Sequence, residues 1–339
     1  MSLVLAFGNP VLDSVVKLKN KDIINKFKLQ EDGHKQTTPE EMQDILKEIK
    51  QQKYTWSNVA GGSALNTMRI LQWLFDHERS TVVFGAVGTD SNATLLKNMV
   101  EEFRVKTKFA FLDKQPTGWV LSLVYKSSRS LIAHIGAAEC YALQHFDNAE
   151  NRLLIKESNL IYMEGFFITE RKEVSRHILD LCKAEGKPFV FNLNAEYLVT
   201  ELRDEMMHFV ENSSILFGNS KEFSKLAKGI GISKEELIKK LVAGKSDKLL
   251  VVTNGPKSVH AYYQNEVIKY EVPAMKPSEI VDTTGCGDSF VAGFIFGHLN
   301  GLPPLRCMKW GAWMAQQVIR QIGCTPPGRL LPTDIRKVE

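Results

Sequence analysis

The chain has 339 residues, of which 44% are hydrophobic and 24% charged, and its formal net charge is +4. This composition is typical of a folded globular protein, and so mild a charge argues against a surface built for nucleic acid or anionic membranes. The 5 cysteines are odd in number and form no C-x-x-C pair, so they suggest neither a disulfide framework nor a zinc site, and a reducing compartment fits best. The opening segment has no basic leader, and no stretch reaches the roughly 20 apolar residues of a membrane span. We therefore expect a cytoplasmic protein, with entry into the nucleus left open.

Short runs rich in β-branched and aromatic residues alternate with longer amphipathic segments through most of the chain. Runs that are apolar on both faces are typical of strands in a buried parallel sheet. Such runs stand at 81–88 (TVVFGAVG), 159–166 (NLIYMEGF), 188–194 (PFVFNLN), 213–219 (SSILFGN) and 248–255 (KLLVVTNG). The segments between them, such as 171–187 and 233–244, are long enough for crossover helices on both sheet faces. The sequence therefore predicts a doubly wound α/β domain with a mostly parallel sheet.

Two regions, 14–59 and 117–137, interrupt this alternation. In the second region the runs TGWVLSLVY and SLIAHIGAA flank the turn KSSR, a pattern that predicts a β-hairpin. We expect the two regions together to form a small β-rich lid. The rest of the chain, 1–13, 60–116 and 138–339, is then the large α/β domain.

The segment FGNPVLD follows the first apolar run and turns through Pro10, which places Asn9 and Asp13 at the sheet edge that meets the lid. A carboxylate such as Asp13 can accept two hydrogen bonds from a vicinal diol. The alternative is a local turn in which these side chains only cap the backbone.

The segment AGGSALN (60–66) combines two glycines with two polar residues at helical spacing. Gly61 and Gly62 would let a ligand approach the backbone closely, and Ser63 and Asn66, one helical turn apart, would face the same pocket. The alternative is a glycine N-cap before a core helix, and both interpretations can hold together.

The strongest chemical signal is the stretch EIVDTTGCGD, in which a strand-like EIV (279–281) leads into a turn of small residues. Ligands of open parallel sheets bind beyond the carboxyl ends of the strands. The amides of Gly285, Cys286 and Gly287, at the start of a helix, can form an anion hole for a phosphate. Asp288, in the first helical turn, would then accept the proton of an alcohol, as in a phosphotransferase. A tight turn with a helix-stabilising aspartate is the alternative.

The stretch DTTGCGDSFVAGF resembles the D-T-x-G-A-G-D signature of the ribokinase-type (PfkB) carbohydrate kinase family. Further segments extend the resemblance over nearly the whole chain, in the order found in the adenosine kinases of that family: GNPVLD, AGGSALNTMRILQWL, GAVGTD, QPTG, RSLIAHIGAAECY, GFFIT and GCTPP. The resemblance implies a ribokinase-like fold, with Asp288 as the catalytic base. It also implies transfer of the ATP γ-phosphoryl group to the 5'-hydroxyl of adenosine, giving AMP and ADP in purine salvage.

The resemblance also assigns the phosphate side of the site. Arg129, at the tip of the predicted hairpin, would stabilise the transferring phosphoryl group, unless it is an ordinary exposed turn residue. Asn219 and Glu222 match the family's N-x-x-E motif, which arranges Mg²⁺ largely through water, although the same spacing is also a helix capping box. Thr253 and Gly255 resemble the family's contacts to the nucleotide, and a plain turn is their alternative.

On the nucleoside side, the resemblance implies that Asp13 binds the ribose hydroxyls. A purine needs a flat apolar slot, for which Phe167 of GFFIT and Tyr197 of NLNAEYL are the candidates. The alternative for both rings is ordinary core packing. The base pocket is where the chain departs most from adenosine kinases, because Trp119 and Val120 replace small residues and NAEY replaces S-A-P-F.

We thus expect adenosine and ATP as substrates, Mg²⁺ as cofactor, and a monomer that binds neither nucleic acid nor membranes. A monovalent cation is a further cofactor that the resemblance leaves open. The alternatives are a kinase of the same type for another nucleoside or sugar, and a catalytically weak nucleoside-binding protein.

Overall fold

A computed structural model describes residues 3–30, 33–76, 80–126, 128–244, 247–264 and 266–328 of the chain. Its strands are β1 (Leu3–Phe7), β2 (Val11–Lys17), β3 (His34–Gln36), β4 (Trp56–Gly61), β5 (Ser80–Gly88), β6 (Lys106–Leu112), β7 (Gly118–Tyr125), β8 (Ser128–His134), β9 (Leu160–Glu164), β10 (Phe189–Asn192), β11 (Ile215–Asn219), β12 (Leu249–Thr253), β13 (Ser258–Tyr263) and β14 (Glu266–Glu271). Its α-helices are α1 (Asp22–Lys26), α2 (Pro39–Gln51), α3 (Ser63–Phe75), α4 (Ser91–Glu102), α5 (Leu143–Phe146), α6 (Ala149–Glu157), α7 (Lys172–Ala184), α8 (Glu196–Glu201), α9 (Arg203–Asn212), α10 (Ser220–Gly229), α11 (Lys234–Val242), α12 (Cys286–Leu299) and α13 (Pro304–Val318). Within these ranges, no helix combines the length and apolar character needed to cross a membrane.

The large sheet has 9 strands in the order β14-β13-β12-β11-β10-β9-β1-β5-β6. Neighbouring strands are parallel from β12 to β6, and β13 and β14 continue one edge in antiparallel orientation. The apolar runs predicted as strands are β5, β9, β10, β11 and β12. Those predictions are confirmed, and the buried, β-branched character of the runs follows from their central place in the sheet.

Helices cover both faces of the large sheet. On one face α3, α4, α12 and α13 pack against Val83, Tyr162 and Phe217 of the sheet. On the other face α6, α7, α9, α10 and α11 pack against Phe7, Phe84 and Phe191. Two apolar cores therefore sandwich one sheet, and the predicted doubly wound α/β fold is confirmed.

A second, small sheet has 5 strands in the order β3-β8-β7-β2-β4. The predicted hairpin is present, because β7 and β8 pair antiparallel up to Tyr125 opposite Ser128. Helices α1 and α2 cover one face of this sheet and bury side chains such as Ile45 and Leu121 with it. Residues 14–59 and 117–137 supply the small sheet, apart from the first residues of β2 and the last of β4. The division of the chain into a large domain and a lid stays a prediction.

The strand predicted at 279–281 is wrong. Pro277–Glu279 forms a single turn of 3-10 helix, and Ile280 and Val281 follow it with 46% and 55% of their surfaces exposed. The amide of Val281 donates to the carbonyl of Ile319, 2.9 Å away, beyond the end of α13. Pro277 starts the turn because its fixed φ suits the first position of a helix. Among the described residues, no strand pairs with Ile280 or Val281.

The parallel strands β9 to β12 each end in a polar residue: Glu164, Asn192, Asn219 and Thr253. In register, Glu164 lies beside Asn192, and Asn219 lies beside Thr253. The carboxyl ends of parallel strands share one edge of the sheet. The fold therefore collects polar groups at the edge where a ligand of such a sheet is expected.

Candidate active site

Helix α12 begins in a turn that requires glycine. Gly285, the N-cap, has a φ of +74°, and a Cβ there would lie 2.3 Å from the Cβ of Cys324. The carboxylate of Asp282 fixes the turn: Oδ1 accepts from the amide of Thr284 at 2.9 Å and from its hydroxyl at 2.7 Å. The second oxygen, Oδ2, accepts from the amide of Gly323 at 2.9 Å. The segment after α13 is thereby tied to the start of α12.

The start of α12 is open on the side of Gly287. A Cβ at Gly287 would meet no heavy atom of the described residues within 4 Å. Ser289 N donates to Gly285 O at 2.8 Å, in the first turn of the helix. Gly287 comes before Ser289 in the chain, so its amide points out of the helix start. The amide of Cys286 already donates to the carbonyl of Thr283 at 3.3 Å. The amide of Gly287 therefore lies at an open helix start, where it is suited to donate to an anion.

Asp288 lies in the first turn of α12, partly exposed, and faces the start of α3. Its Oδ1 accepts from Oγ of Ser63 at 2.7 Å, and its Oδ2 accepts from Nδ2 of Asn66 at 2.9 Å. Ser63 and Asn66 share one face of α3, as their spacing predicted. Burial raises the pKa of Asp288 above its ordinary value, and the two donors and the guanidinium of Arg69 oppose that shift. The carboxylate is thus held by groups that favour its ionised form.

Glu164, the last residue of β9, joins this site although the sequence analysis did not identify it. Its side chain is fully buried, Oε1 accepts from the amide of Asn9 at 2.6 Å, and Oε2 accepts from the amide of Ala64. Burial raises the pKa of Glu164 to about 7 against these two donors. The carboxylate therefore braces the turn after β1 against the first turn of α3. A single acidic residue inside an apolar run was the available signal.

Asn194 is a second site residue that the sequence analysis missed. Its φ is +65°, a left-handed conformation that asparagine adopts more readily than most residues. Its Oδ1 accepts from the amide of Gly165 at 2.7 Å, and its Nδ2 donates to Oγ of Ser63 at 2.7 Å. Ser63 therefore accepts from Asn194 and donates to Asp288.

Asp13 lies beside the two glycines at 61–62. A Cβ on Gly61 would lie 2.2 Å from Cγ of Asp13, and a Cβ on Gly62, whose φ is +101°, would lie 2.0 Å from the carbonyl oxygen of Asn9. Position 62 therefore requires glycine, whereas a side chain at position 61 would displace the Asp13 carboxylate. Nδ2 of Asn9 donates to the carbonyl of Phe166 at 3.4 Å, so Asn9 fixes the turn, while the side chain of Asp13 is partly exposed.

The aromatic candidates need a correction. The structure places Phe167 fully in the core, with its ring 5.8 Å from the rings of Phe7 and Tyr141, so it cannot line a slot at the surface. Its neighbour Phe166 is partly exposed, and the ring of Phe166 lies 6.4 Å from that of Tyr197, which is 40% exposed. The turn after β9 is 3-10 helical, which directs adjacent side chains apart, and a residue pattern alone did not show which ring faces out.

The two departures in β7 lie on opposite faces of the small sheet. Trp119 packs with the core beneath α1 and α2, and its Nε1 donates to Oγ of Ser14 at 2.7 Å. Val120 stands directly beside Asp13 in register. Because neighbouring residues of a strand alternate between faces, Val120 shares the face of Asp13 and Trp119 does not.

Asn219 and Glu222 form the capping box that their spacing allowed. Oδ1 of Asn219 accepts from the amide of Glu222 at 3.0 Å, and the Glu222 carboxylate accepts from the amide and Nδ2 of Asn219, both at 2.7 Å. Burial raises the pKa of Glu222 to about 7. Among the described residues, no cluster of three or more His, Cys, Asp or Glu side chains could hold a metal ion.

The candidates for nucleotide contacts lie at the end of the adjacent strand β12. Thr253 is partly exposed, and Gly255 is exposed with a φ of +57°.

Arg129 pairs through its backbone with Val124, one position inside β8 from the turn. Its side chain lies outside the part of the chain that the structure describes. The predicted role of Arg129 in phosphoryl transfer therefore stays a prediction.

Residues 33–329 match a family model described as pfkB family carbohydrate kinase. The adenosine kinase of Dictyostelium discoideum is 28% identical to the chain over 331 residues, which cover 96% of each protein. Adenosine kinase 1 of Arabidopsis thaliana is 30% identical over 341 residues, again 96% of each. The similarity thus extends over both sheets and the turn before α12.

Solved structures give the same result for the fold. The adenosine kinase from Schistosoma mansoni in complex with 2-fluoroadenosine superposes with a TM-score of 0.86 at 26% identity, over 96% of this chain and 97% of that one. The adenosine kinase from Anopheles gambiae in complex with P1,P4-di(adenosine-5) tetraphosphate has a TM-score of 0.85 at 28% identity, over 96% and 98%. The fold is therefore ribokinase-like, with the small sheet included.

Proposed function

The chain belongs to the pfkB family of carbohydrate kinases, and we propose that it transfers the γ-phosphoryl group of ATP to the 5'-hydroxyl of adenosine, giving AMP and ADP. The observation that carries this proposal is the Asp288 carboxylate, held by Ser63 and Asn66 beside the open start of α12. The full-length similarity to adenosine kinases supports adenosine as the acceptor.

Asp288 takes the proton of the attacking hydroxyl. Its two oxygens each accept one hydrogen bond from α3, which fixes the plane of the carboxylate and leaves further lone pairs for the substrate. Because phosphoryl transfer passes through a loose transition state, fixed geometry contributes more than base strength. The amide of Gly287 and the partial positive charge of the helix start stabilise the phosphate.

The nucleoside lies between the two sheets in this proposal. Asp13 accepts hydrogen bonds from the 2' and 3' hydroxyls of the ribose, and the missing side chain at Gly61 leaves room for the Asp13 carboxylate. Phe166 and Tyr197, whose rings are near each other and partly exposed, flank the base. Val120 shares the face of Asp13 and contributes an apolar side chain to the same pocket.

Mg²⁺ fits this site only through water. Asn219 and Glu222 satisfy each other, and Mg²⁺ retains several waters and needs few direct protein ligands. The Glu222 carboxylate would hold those waters, and the ion, when bound, neutralises charge on the nucleotide phosphates. Thr253, paired with Asn219 at the strand ends, and Gly255 contact the nucleotide.

We further propose that the protein is a cytoplasmic monomer without nucleic-acid or membrane partners.

Turnover on a panel of acceptors tests the proposal. Purified protein with MgATP is assayed for ADP release on adenosine, inosine, guanosine, cytidine and ribose. We expect adenosine to give the highest kcat/KM, and Asp288→Asn to abolish turnover while adenosine affinity stays within about tenfold, because the shape is kept and the proton acceptor is lost.

Asp180→Asn, at an exposed position of α7, is the matched control and should keep full activity. If another nucleoside or ribose gives the highest kcat/KM, that acceptor replaces adenosine as the proposed substrate. Absence of ADP release on every acceptor would favour a binding protein instead.

A further inference from the structure

The hydrogen bonds around Asn194 have only one possible direction. The amide of Gly165 can only donate, so the atom of Asn194 that faces it at 2.7 Å must be the oxygen. The nitrogen of the same amide group therefore faces Oγ of Ser63 and donates to it. Because Asn194 offers Ser63 only a donor, the Ser63 hydroxyl cannot donate back to it, and it donates instead to Oδ1 of Asp288, 2.7 Å away, which as a carboxylate oxygen only accepts.

We propose that Asn194 is a positioning residue for the base: it sets the direction of the Ser63 hydroxyl, so that Asp288 always receives a hydrogen bond from it. This inference rests on the proposed function, in which Asp288 accepts the proton of the substrate. The side chain of Asn194 hydrogen-bonds to Gly165 and Ser63. It therefore acts on Asp288 through Ser63, which is 131 positions away in sequence.

The alternative is that Asn194 has a purely structural role, as a residue that tolerates the left-handed conformation of the turn. Glycine would adopt the same φ of +65° without strain. Asn194→Gly therefore keeps the turn and removes both hydrogen bonds. Asn194→Asp keeps the shape but reverses the bond to Ser63, because a carboxylate can only accept. The Ser63 proton then turns to the carboxylate introduced by that substitution and away from Asp288.

Several ionisable groups surround Asp288 and must be separated from this effect. They are Arg69 on α3, Tyr162 and Glu164 on β9, Cys286 on α12 and Cys324 after α13. Tyr162 also forms a side-chain hydrogen bond with Ser63, which the Asn194 variants retain and Ser63→Ala removes. Burial raises the pKa of both thiols to about 12 and that of Tyr162 still further, so these groups stay neutral at working pH. Glu164, with a pKa of about 7, is the group that can titrate in the same range.

A double-mutant cycle separates the hydrogen bond from the added charge. The variants are Asn194→Asp, Ser63→Ala and both together, and the pKa of Asp288 is measured by ¹³C NMR titration, with its carboxyl signal assigned by Asp288→Asn. We expect Asn194→Asp to raise the pKa of Asp288 by about 1 unit or more, because a donor is lost and a negative charge is added. In the Ser63→Ala background the rise should be smaller by at least about half a unit, since no hydroxyl remains to turn.

Asn194→Gly gives a second, charge-free measurement. It should raise the pKa of Asp288 in the same direction by a smaller amount, and thermal unfolding should show an intact fold. The acid limb of the kcat/KM profile on adenosine should move with the NMR value in each variant, and the same shifts should persist in the Glu164→Gln background. Asn148→Asp, at the N-cap of α6, is the matched control and should shift nothing.

An equal rise in pKa with and without Ser63, or no rise for Asn194→Gly, would overturn the inference and leave Asn194 as a turn residue. The NMR titration needs no turnover, so the two proposals fail separately. If the cycle shows coupling between Asn194 and Ser63 but the protein does not phosphorylate adenosine, the positioning role of Asn194 is supported. The proposal that adenosine is the substrate is then wrong.

Discussion

Glu164 and Asp288 are carboxylates of one site that differ in their partners. Glu164 is fully buried and accepts from two backbone amides, which are fixed by the turn after β1 and by α3. Asp288 is partly exposed and accepts from two side chains. A buried group with both oxygens occupied by backbone donors is suited to holding structure, whereas an accessible carboxylate can meet a substrate.

The buried state of Glu164 predicts a pH dependence of stability. Its pKa is about 7 in the folded protein and near the ordinary 4.5 when unfolded, so the folded state binds more protons between these values. Stability from this group therefore falls as pH rises from about 4.5 to about 7, and is constant above. We expect Glu164→Gln to gain about 2 to 3 kcal/mol relative to the wild type between pH 5 and pH 8, measured by urea unfolding.

The exposed Glu157→Gln, at the end of α6, is the control and should show no such difference between the two pH values. A difference between wild type and Glu164→Gln that does not change with pH would mean that Glu164 is ionised in the same range folded and unfolded.

Local signals revealed some site residues and missed others. Asp288 and the glycines at 61–62 stand in short motifs whose backbone needs are visible in the sequence, and the structure brings them to one place. Asn194 reaches Ser63 across 131 positions, and no local pattern announces such a partner. The exchange of Phe167 for Phe166 turned on the direction of one 3-10 turn, which is decided by tertiary packing.

Among the elements, predictability followed burial. The runs that became β5 and β9 to β12 are central strands, covered on both faces, so their apolar composition specified them directly. EIV at 279–281 has the same residue types but lies at the surface, where β-propensity without neighbours does not form a strand. The start of α12 was predictable because it depends on the glycine turn itself.

The start of α12 predicts opposite outcomes for two adjacent glycines. Gly287→Ala meets open space in a helix, so we expect a stability equal to or about 0.5 to 1 kcal/mol above the wild type. The same methyl group would stand where a phosphate approaches, so kcat should fall by about tenfold or more. Gly285→Ala, with a positive φ and Cys324 in contact, should instead lose stability by more than about 1 kcal/mol.

Thermal unfolding and steady-state kinetics of both variants measure these effects. If Gly287→Ala keeps full activity, the phosphate does not pass this face of the helix, and the anion hole must be sought elsewhere.

For the whole molecule, the site lies where the chain passes between the two sheets. The chain leaves the large sheet at Asn9 for β2, and returns from β4 through Gly61 and Gly62 into α3. Asp13 belongs to the small sheet, whereas Asp288 belongs to a helix on the large one. A nucleoside held by Asp13 that reacts at Asp288 must therefore lie between the sheets, and their approach would exclude water from the reaction.

Arg129 tests whether the small sheet takes part in the chemistry, because its backbone lies in the hairpin of that sheet. If that sheet closes over bound nucleoside, the guanidinium reaches the transferring phosphoryl group in the closed state, so its effect belongs to the transition state. We expect Arg129→Ala to lower kcat by about 10²-fold or more with little change in adenosine affinity. Arg129→Lys should restore only part of the lost kcat, because the ammonium group of lysine is a point charge and lacks the forked donors of arginine that suit a phosphate. Lys126→Ala, an exposed residue of the same turn, is the control and should leave kcat unchanged. Unchanged kcat in Arg129→Ala would make the arginine an ordinary turn residue and remove the small sheet from the chemistry.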